Sequence, residues 1–144
     1  METKQYKLTK KERISSKKEI DLLFTEGSSF IVYPLRVVYI ERNCEEISDK
    51  SAVSIMVSIP KKKFKRAVKR NRLKRLIKES YRLNKSDFIE KMVYHYPPPE
   101  GAGGGSSKHI SIAFLYLSNE EKPFTEIDSA VRKALETLST KILP

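Results

Sequence analysis

Residues 61–78 read KKKFKRAVKRNRLKRLIK. Eleven of these eighteen residues are Lys or Arg, and none is acidic. The whole chain of 144 residues carries 29 basic and 18 acidic residues, a formal net charge of +11. Outside this stretch, 18 basic residues face 18 acidic ones, so the entire charge excess sits on it. Such a density repels itself unless a polyanion is close. It predicts a partner with closely spaced phosphates, nucleic acid first and an anionic membrane surface second.

The same stretch also carries a packing signal. At 100° per residue, Leu73, Leu76, Ile77 and Ser80 fall on one side, with Tyr81 at its margin. Asn71, Lys74, Arg75, Lys78 and Arg82 fall on the opposite side. The pattern predicts an amphipathic helix from about Arg66 to past Tyr81, one face packed and one cationic. Ordinary solvated helix faces mix signs at i±4. This one does not, which favours a phosphate-tracking role over a merely solvated face. Nuclear-localisation tracts share the charge, but not the packing stripe. Residues 86–93 (SDFIEKMV) either extend this helix or form a further turn.

Upstream, Pro60 closes a strand. In Ala52–Ile59, Val53, Ile55, Val57 and Ile59 alternate with Ala52, Ser54, Met56 and Ser58. Two earlier strands are expected at Ser29–Tyr33 and Leu35–Ile40. The polar loop ERNCEEISDKS separates the second from the third, which suggests an antiparallel meander. At the start, Ser16 and Glu19 have the spacing of a capping box. Ile20, Leu23 and Phe24 form a short apolar stripe that Gly27 ends.

Downstream, residues 97–107 (PPPEGAGGGSS) form a flexible Pro/Gly/Ser-rich insertion within a single 1–144 domain. His109–Leu117 (HISIAFLYL) is apolar on both faces, as a central strand is. Thr125–Asp128 resembles a cap. Ile127, Val131, Ala134, Leu135, Leu138 and Ile142 stripe a last helix. The order α-β-β-β-α-β-α predicts an α+β fold, a two-layer α/β sandwich.

No composition signal points to catalysis by the chain itself. One cysteine, Cys44, excludes an internal disulfide and fits a reducing, cytoplasmic setting. His95 and His109 lack partners at catalytic or metal-ligand spacing, so no catalytic and no metal residue is assigned. Glu45–Glu46 and Glu120–Glu121 read as solvated loop charges. GAGGGSS lacks the Lys of a phosphate loop. The apolar runs are too short for a membrane span, and no membrane partner is expected. Tyr33, Tyr39, Phe114 and Tyr116 offer rings that either stack on bases or fill the sheet core, at least half of them the latter. Among them Tyr39 is the best candidate for base stacking.

AVKRNRLKRLIKESYR, residues 67–82, is similar to the signature helix of the bacterial ribonuclease P protein family. The pattern is met by Ala67, Arg70, Asn71, Arg72, Leu73, Lys74, Arg75, Leu76 and Ile77. Leu8–Phe30 resembles the family's N-terminal segment, ending in Phe24-x-x-Gly27. Ser58 followed by Lys61 and Lys62 resembles its strand end. Lys65 stands where a glycine is usual, with Lys63 as an added residue, and Ile20 stands where an earlier aromatic is usual.

The resemblance implies a protein that binds a large catalytic RNA and assists magnesium-dependent removal of the 5′ leader from precursor tRNA. The RNA and its bound magnesium ions do the chemistry. The implied partners are that RNA and precursor tRNA, with no obligate protein partner. It further implies RNA contact by Lys61, Lys62, Arg66, Arg70, Asn71, Arg72, Lys74, Arg75 and Lys78. It places Ile20, Phe24 and Tyr39 in a cleft for the leader. It also implies a left-handed β-α-β crossover, against the right-handed rule that holds in about 98% of cases. A ribosomal-type RNA-binding protein without a role in tRNA processing, and a self-sufficient nuclease, are the competing readings.

Overall fold

The computed structural model describes residues 13–14, 16–43, 53–96 and 108–142. The expected insertion at 97–107, Cys44 and the Glu45–Glu46 pair lie outside them. The elements are α1 (Lys17–Glu26), β1 (Ser28–Val32), β2 (Leu35–Asn43), β3 (Val53–Ser58), α2 (Ala67–His95), β4 (Lys108–Tyr116) and α3 (Phe124–Ile142). Their order is the expected one.

The strands form a mixed sheet in the order β1-β2-β4-β3. β1 and β2 pair antiparallel, as do β2 and β4, while β3 runs parallel to β4. The expected meander is therefore broken after β2. The cause lies in β4, where every residue except Lys108 and Leu115 is buried. A strand apolar on both faces needs a neighbour on each side, so it takes the centre and displaces β3 from β2. A parallel β3–β4 pair needs a long crossover, and α2 supplies it in 29 residues. Residues 86–93 simply continue that helix.

One sheet face carries Leu35, Val37, Val53, Ile55, Ile110, Ile112, Phe114 and Tyr116. Against it pack Leu73, Ile77, Tyr81, Phe88 and Met92 of α2, and the whole predicted stripe of α3. These are the two layers of the sandwich. On the opposite face, Val38 and Ala113 meet Leu23 of α1 and Ile14, with Ile20, Ile40, Met56 and Leu115 partly buried around them. α1 thus covers part of that face; on the same side Ser54, His109 and Ser111 are buried as well, while Ile31 and Arg36 at the β1–β2 end are exposed.

Local ends differ in detail from the expected caps. Ser16 stands at the N-cap of α1, but its hydroxyl makes no cap hydrogen bond. Gly27 ends α1 because the chain turns tightly onto β2. A Cβ there would lie 2.3 Å from the Leu23 carbonyl and 2.9 Å from that of Tyr39. α3 starts at Phe124, earlier than Thr125 suggests, with the Pro123 carbonyl accepting from the Glu126 and Ile127 amides. Asp128 instead bridges the helices. It accepts from Ser80 Oγ (2.7 Å) and Asn84 Nδ2 (2.9 Å) of α2, and pairs with Arg132 (3.0 Å).

Candidate RNA interface

The basic stretch begins in a turn, residues 60–66, that is fixed from three sides. The Pro60 carbonyl accepts from the amides of Lys63 and Phe64. Phe64 is buried, its ring 5.8 Å from Tyr116. The Lys63 ammonium donates to the Leu117 carbonyl just beyond β4. Arg70, one turn into α2, reaches back so that Nη1 donates to the carbonyls of Phe64 (2.7 Å) and Lys65 (2.8 Å). Two of the eleven cations therefore hold backbone in place. The turn sets where Lys61 and Lys62 stand relative to the helix.

From this turn α2 emerges with its faces sorted as the wheel predicts. Leu73, Ile77, Ser80 and Tyr81 are buried, and Leu76 half-buried. Lys61, Lys62, Arg66, Asn71, Arg72 and Arg75 are exposed, while Arg70, Lys74 and Lys78 are half-buried. Among the described residues none of Lys61, Lys62, Arg66, Arg70, Arg72, Lys74, Arg75 or Lys78 has a carboxylate within salt-bridge range. The ion pairs of the region involve Lys69 with Glu121 (3.9 Å) and Arg82 with Glu79.

The first turn of α2 holds no acidic residue, so cations crowd the positive end of the helix dipole. Lys78 is held below the ordinary lysine range, first by burial, then by the nearby charges of Arg13 and Lys74. A cationic face without its own counter-ions is electrostatically unfinished and attracts a polyanion.

The expected leader cleft is assembled only in part. Ile20 and Phe24 lie on α1, Ile20 half-buried and Phe24 45% exposed. Tyr39 does not join them. Its register partners, Ser28 and Ile112, put it on the α2/α3 side of the sheet, where its ring lies 5.9 Å from Phe30. The alternation of β2, with Val37 and Tyr39 on one side and Val38 and Ile40 on the other, decides this. Phe114 and Tyr116 are core residues, and Tyr33 is exposed with the Lys122 ammonium 6.0 Å from its ring.

Sequence reasoning missed a row of side chains on the sheet face that also carries α1. Ile31, Arg36, Leu115 and Ser58 are successive cross-strand partners on the α1 side. Ile31 and Arg36 are exposed, and Leu115 and Ser58 half-buried. The row crosses the sheet and ends, through Ile59 and Pro60, at Lys61 and Lys62. Only strand register reveals it.

Among the described residues no group of three His, Cys, Asp or Glu can hold a metal ion, and no helix is long and apolar enough to cross a membrane. Glu120 and Glu121 are exposed and pair with Lys122 and Lys69.

A sandwich with a helix most of whose cations lack carboxylate partners among the described residues defines a class of protein suited to hold a polyanion. The ribonuclease P family model matches residues 8–97, and the chain belongs to that family. The ribonuclease P protein component of Porphyromonas gingivalis (strain ATCC 33277) is 41% identical over 132 residues, covering 89% of this chain and 83% of that protein. That of Clostridioides difficile (strain 630) is 45% identical over 129 residues, covering 88% and 92%. The RNase P proteins of Staphylococcus aureus and Thermotoga maritima superpose with TM-scores of 0.59 and 0.60, each at 21% identity. Each superposition covers 88% of this chain, with 94% and 96% of the respective neighbour. At that identity the superpositions speak for the fold.

Proposed function

We propose that this chain serves as the protein subunit of ribonuclease P, with its catalytic RNA as the main partner. The exposed cations of α2 and the 60–66 turn hold phosphates of that RNA, and Asn71 supplies an amide that both donates and accepts. The open face beside α1, from Phe24 along the Ile31–Arg36–Leu115–Ser58 row, takes the single-stranded 5′ leader of precursor tRNA. Phe24 offers an exposed ring for stacking, and Arg36 a charge for the leader backbone.

The single observation that carries this reading is a rigid helix whose cationic face lacks carboxylate partners among the described residues. Magnesium belongs to the RNA in this account. The donor set along the helix is cationic and does not suit a divalent ion, so leader hydrolysis is assigned to the RNA and its ions. The chain binds, orients and neutralises; it holds no step of bond cleavage.

The test compares binding of precursor tRNA with and without its leader, in the presence of the cognate RNA. Preference for the leader-bearing form supports the reading. Equal affinity for both forms supports a ribosomal-type RNA-binding role instead, and leader removal by the protein without RNA would establish a self-sufficient nuclease.

A further inference from the structure

Arg13 and Ile14 lie along the outer edge of β3, the last strand in the sheet order. Arg13 forms an isolated parallel bridge with Ile55, and the Ile14 amide donates to the Ile55 carbonyl at 2.9 Å. Bridge partners share a side of the sheet, and successive residues alternate sides. Ile55 packs toward α2, so Arg13 leaves on the α2 side. Ile14 confirms the alternation: it turns to the α1 side and is 8% exposed among Leu23, Val38 and Ala113.

On the α2 side stand Lys74 and Lys78, one helical turn apart and both half-buried. The strand register brings Arg13 to the side of the sheet that carries these two lysines, and in keeping with it the charges of Arg13 and Lys74, after burial, hold the Lys78 ammonium below its ordinary range. Glu79, the acid next in sequence, is taken by Arg82. Among the described residues Arg13, Lys74 and Lys78 have no carboxylate partner.

We infer that Arg13, Lys74 and Lys78 form a composite site for one backbone phosphate of the RNA, built from the N-terminal flank and α2 together. The inference rests on the RNA-subunit reading above and extends the interface past the signature helix. An RNA phosphate seated there joins Arg13 to the helix, so binding also reinforces the Arg13–Ile55 bridge at the edge of β3.

The test uses the full-length protein with a transcript of the cognate ribonuclease P RNA, and measures Kd from 50 to 200 mM KCl. Arg13→Gln keeps the main-chain bridge and removes the charge. One lost phosphate contact lowers the slope of log K against log salt by about 0.7–0.9, so the affinity deficit shrinks about threefold over that fourfold range. Arg13→Lys restores most of the slope. Because both residues serve one phosphate, Arg13→Gln with Lys78→Gln lowers the slope by about one contact, not two.

Wild-type affinity and slope for Arg13→Gln, with a reduced slope for Arg72→Ala, would overturn the composite site and leave the helix reading intact. A full two-contact loss in the double variant overturns the shared phosphate. Unchanged slopes in every variant overturn both readings.

Discussion

Arg70 separates the architecture of the interface from its charge. Arg70→Ala removes both hydrogen bonds that tie the 60–66 turn to α2. A hydrogen bond from a charged donor contributes about 1.5–3 kcal/mol. Arg70 is half-buried and one nitrogen serves both carbonyls, so about 1 kcal/mol each, near 2 kcal/mol together, is the appropriate scale. For a chain near 150 residues that lowers Tm by about 4–8 °C.

The comparison variant is Arg72→Ala, whose side chain is exposed. Its stability stays within about 0.5 kcal/mol of wild type, while its salt slope for RNA falls by about one. Arg70→Ala loses affinity with a smaller change of slope, because its main effect is to loosen the turn that presents Lys61 and Lys62. Thermal melts by circular dichroism and filter binding at several salt concentrations read both quantities. If Arg70→Ala melts within 1 °C or so of wild type and flattens the slope as Arg72→Ala does, the scaffold role is wrong.

Three further outcomes are expected. Phe24→Ala leaves Tm nearly unchanged because the ring is 45% exposed. It weakens binding of leader-bearing precursor by the value of one stacked base, about 1–3 kcal/mol or 5- to 150-fold, with no loss for leaderless tRNA. Asp128→Ala leaves buried Ser80 Oγ without its acceptor and removes one of the two hydrogen bonds of Asn84 Nδ2, which still donates to the Ser80 carbonyl; the loss costs about 2–4 kcal/mol in chemical unfolding; Asp128→Asn keeps one acceptor and costs less. Lys78, with its pKa lowered in the fold, binds its proton more tightly in the unfolded chain. Stability linked to this group therefore rises as pH climbs from the folded pKa toward the ordinary value of about 10.4, and Lys78→Gln abolishes that rise in melts across this range.

Much of this molecule can be read from local pattern. The faces of α2 and the stripe of α3 follow largely from 3.6-residue periodicity, because apolar residues at that spacing share one helix face. Strand neighbours are not local. ERNCEEISDKS reads as a hairpin loop between β2 and β3, yet the doubly apolar β4 competes for the same edge and takes it. Tyr39 falls on the other side from α1 for a related reason: alternation shows that Tyr39 and Val38 oppose each other, but not which side receives α1. The Ile31–Arg36–Leu115–Ser58 row exists only once register is set. Arg70 marks a third limit, since a wheel places its Cα while a long side chain chooses its own partner. The hydroxyl of Ser16 and the shifted start of α3 show that cap motifs mark helix ends to within a turn without fixing their hydrogen bonds.

The measurement that bears most directly on the central claim is reconstitution with the cognate RNA at low magnesium, scoring 5′-leader removal for the wild-type protein and for a variant with Arg66, Arg72 and Arg75 replaced by Ala. The account predicts efficient cleavage with the wild-type protein and little with the folded variant, with the deficit reduced as magnesium is raised. Equal cleavage by both proteins at low magnesium would contradict it.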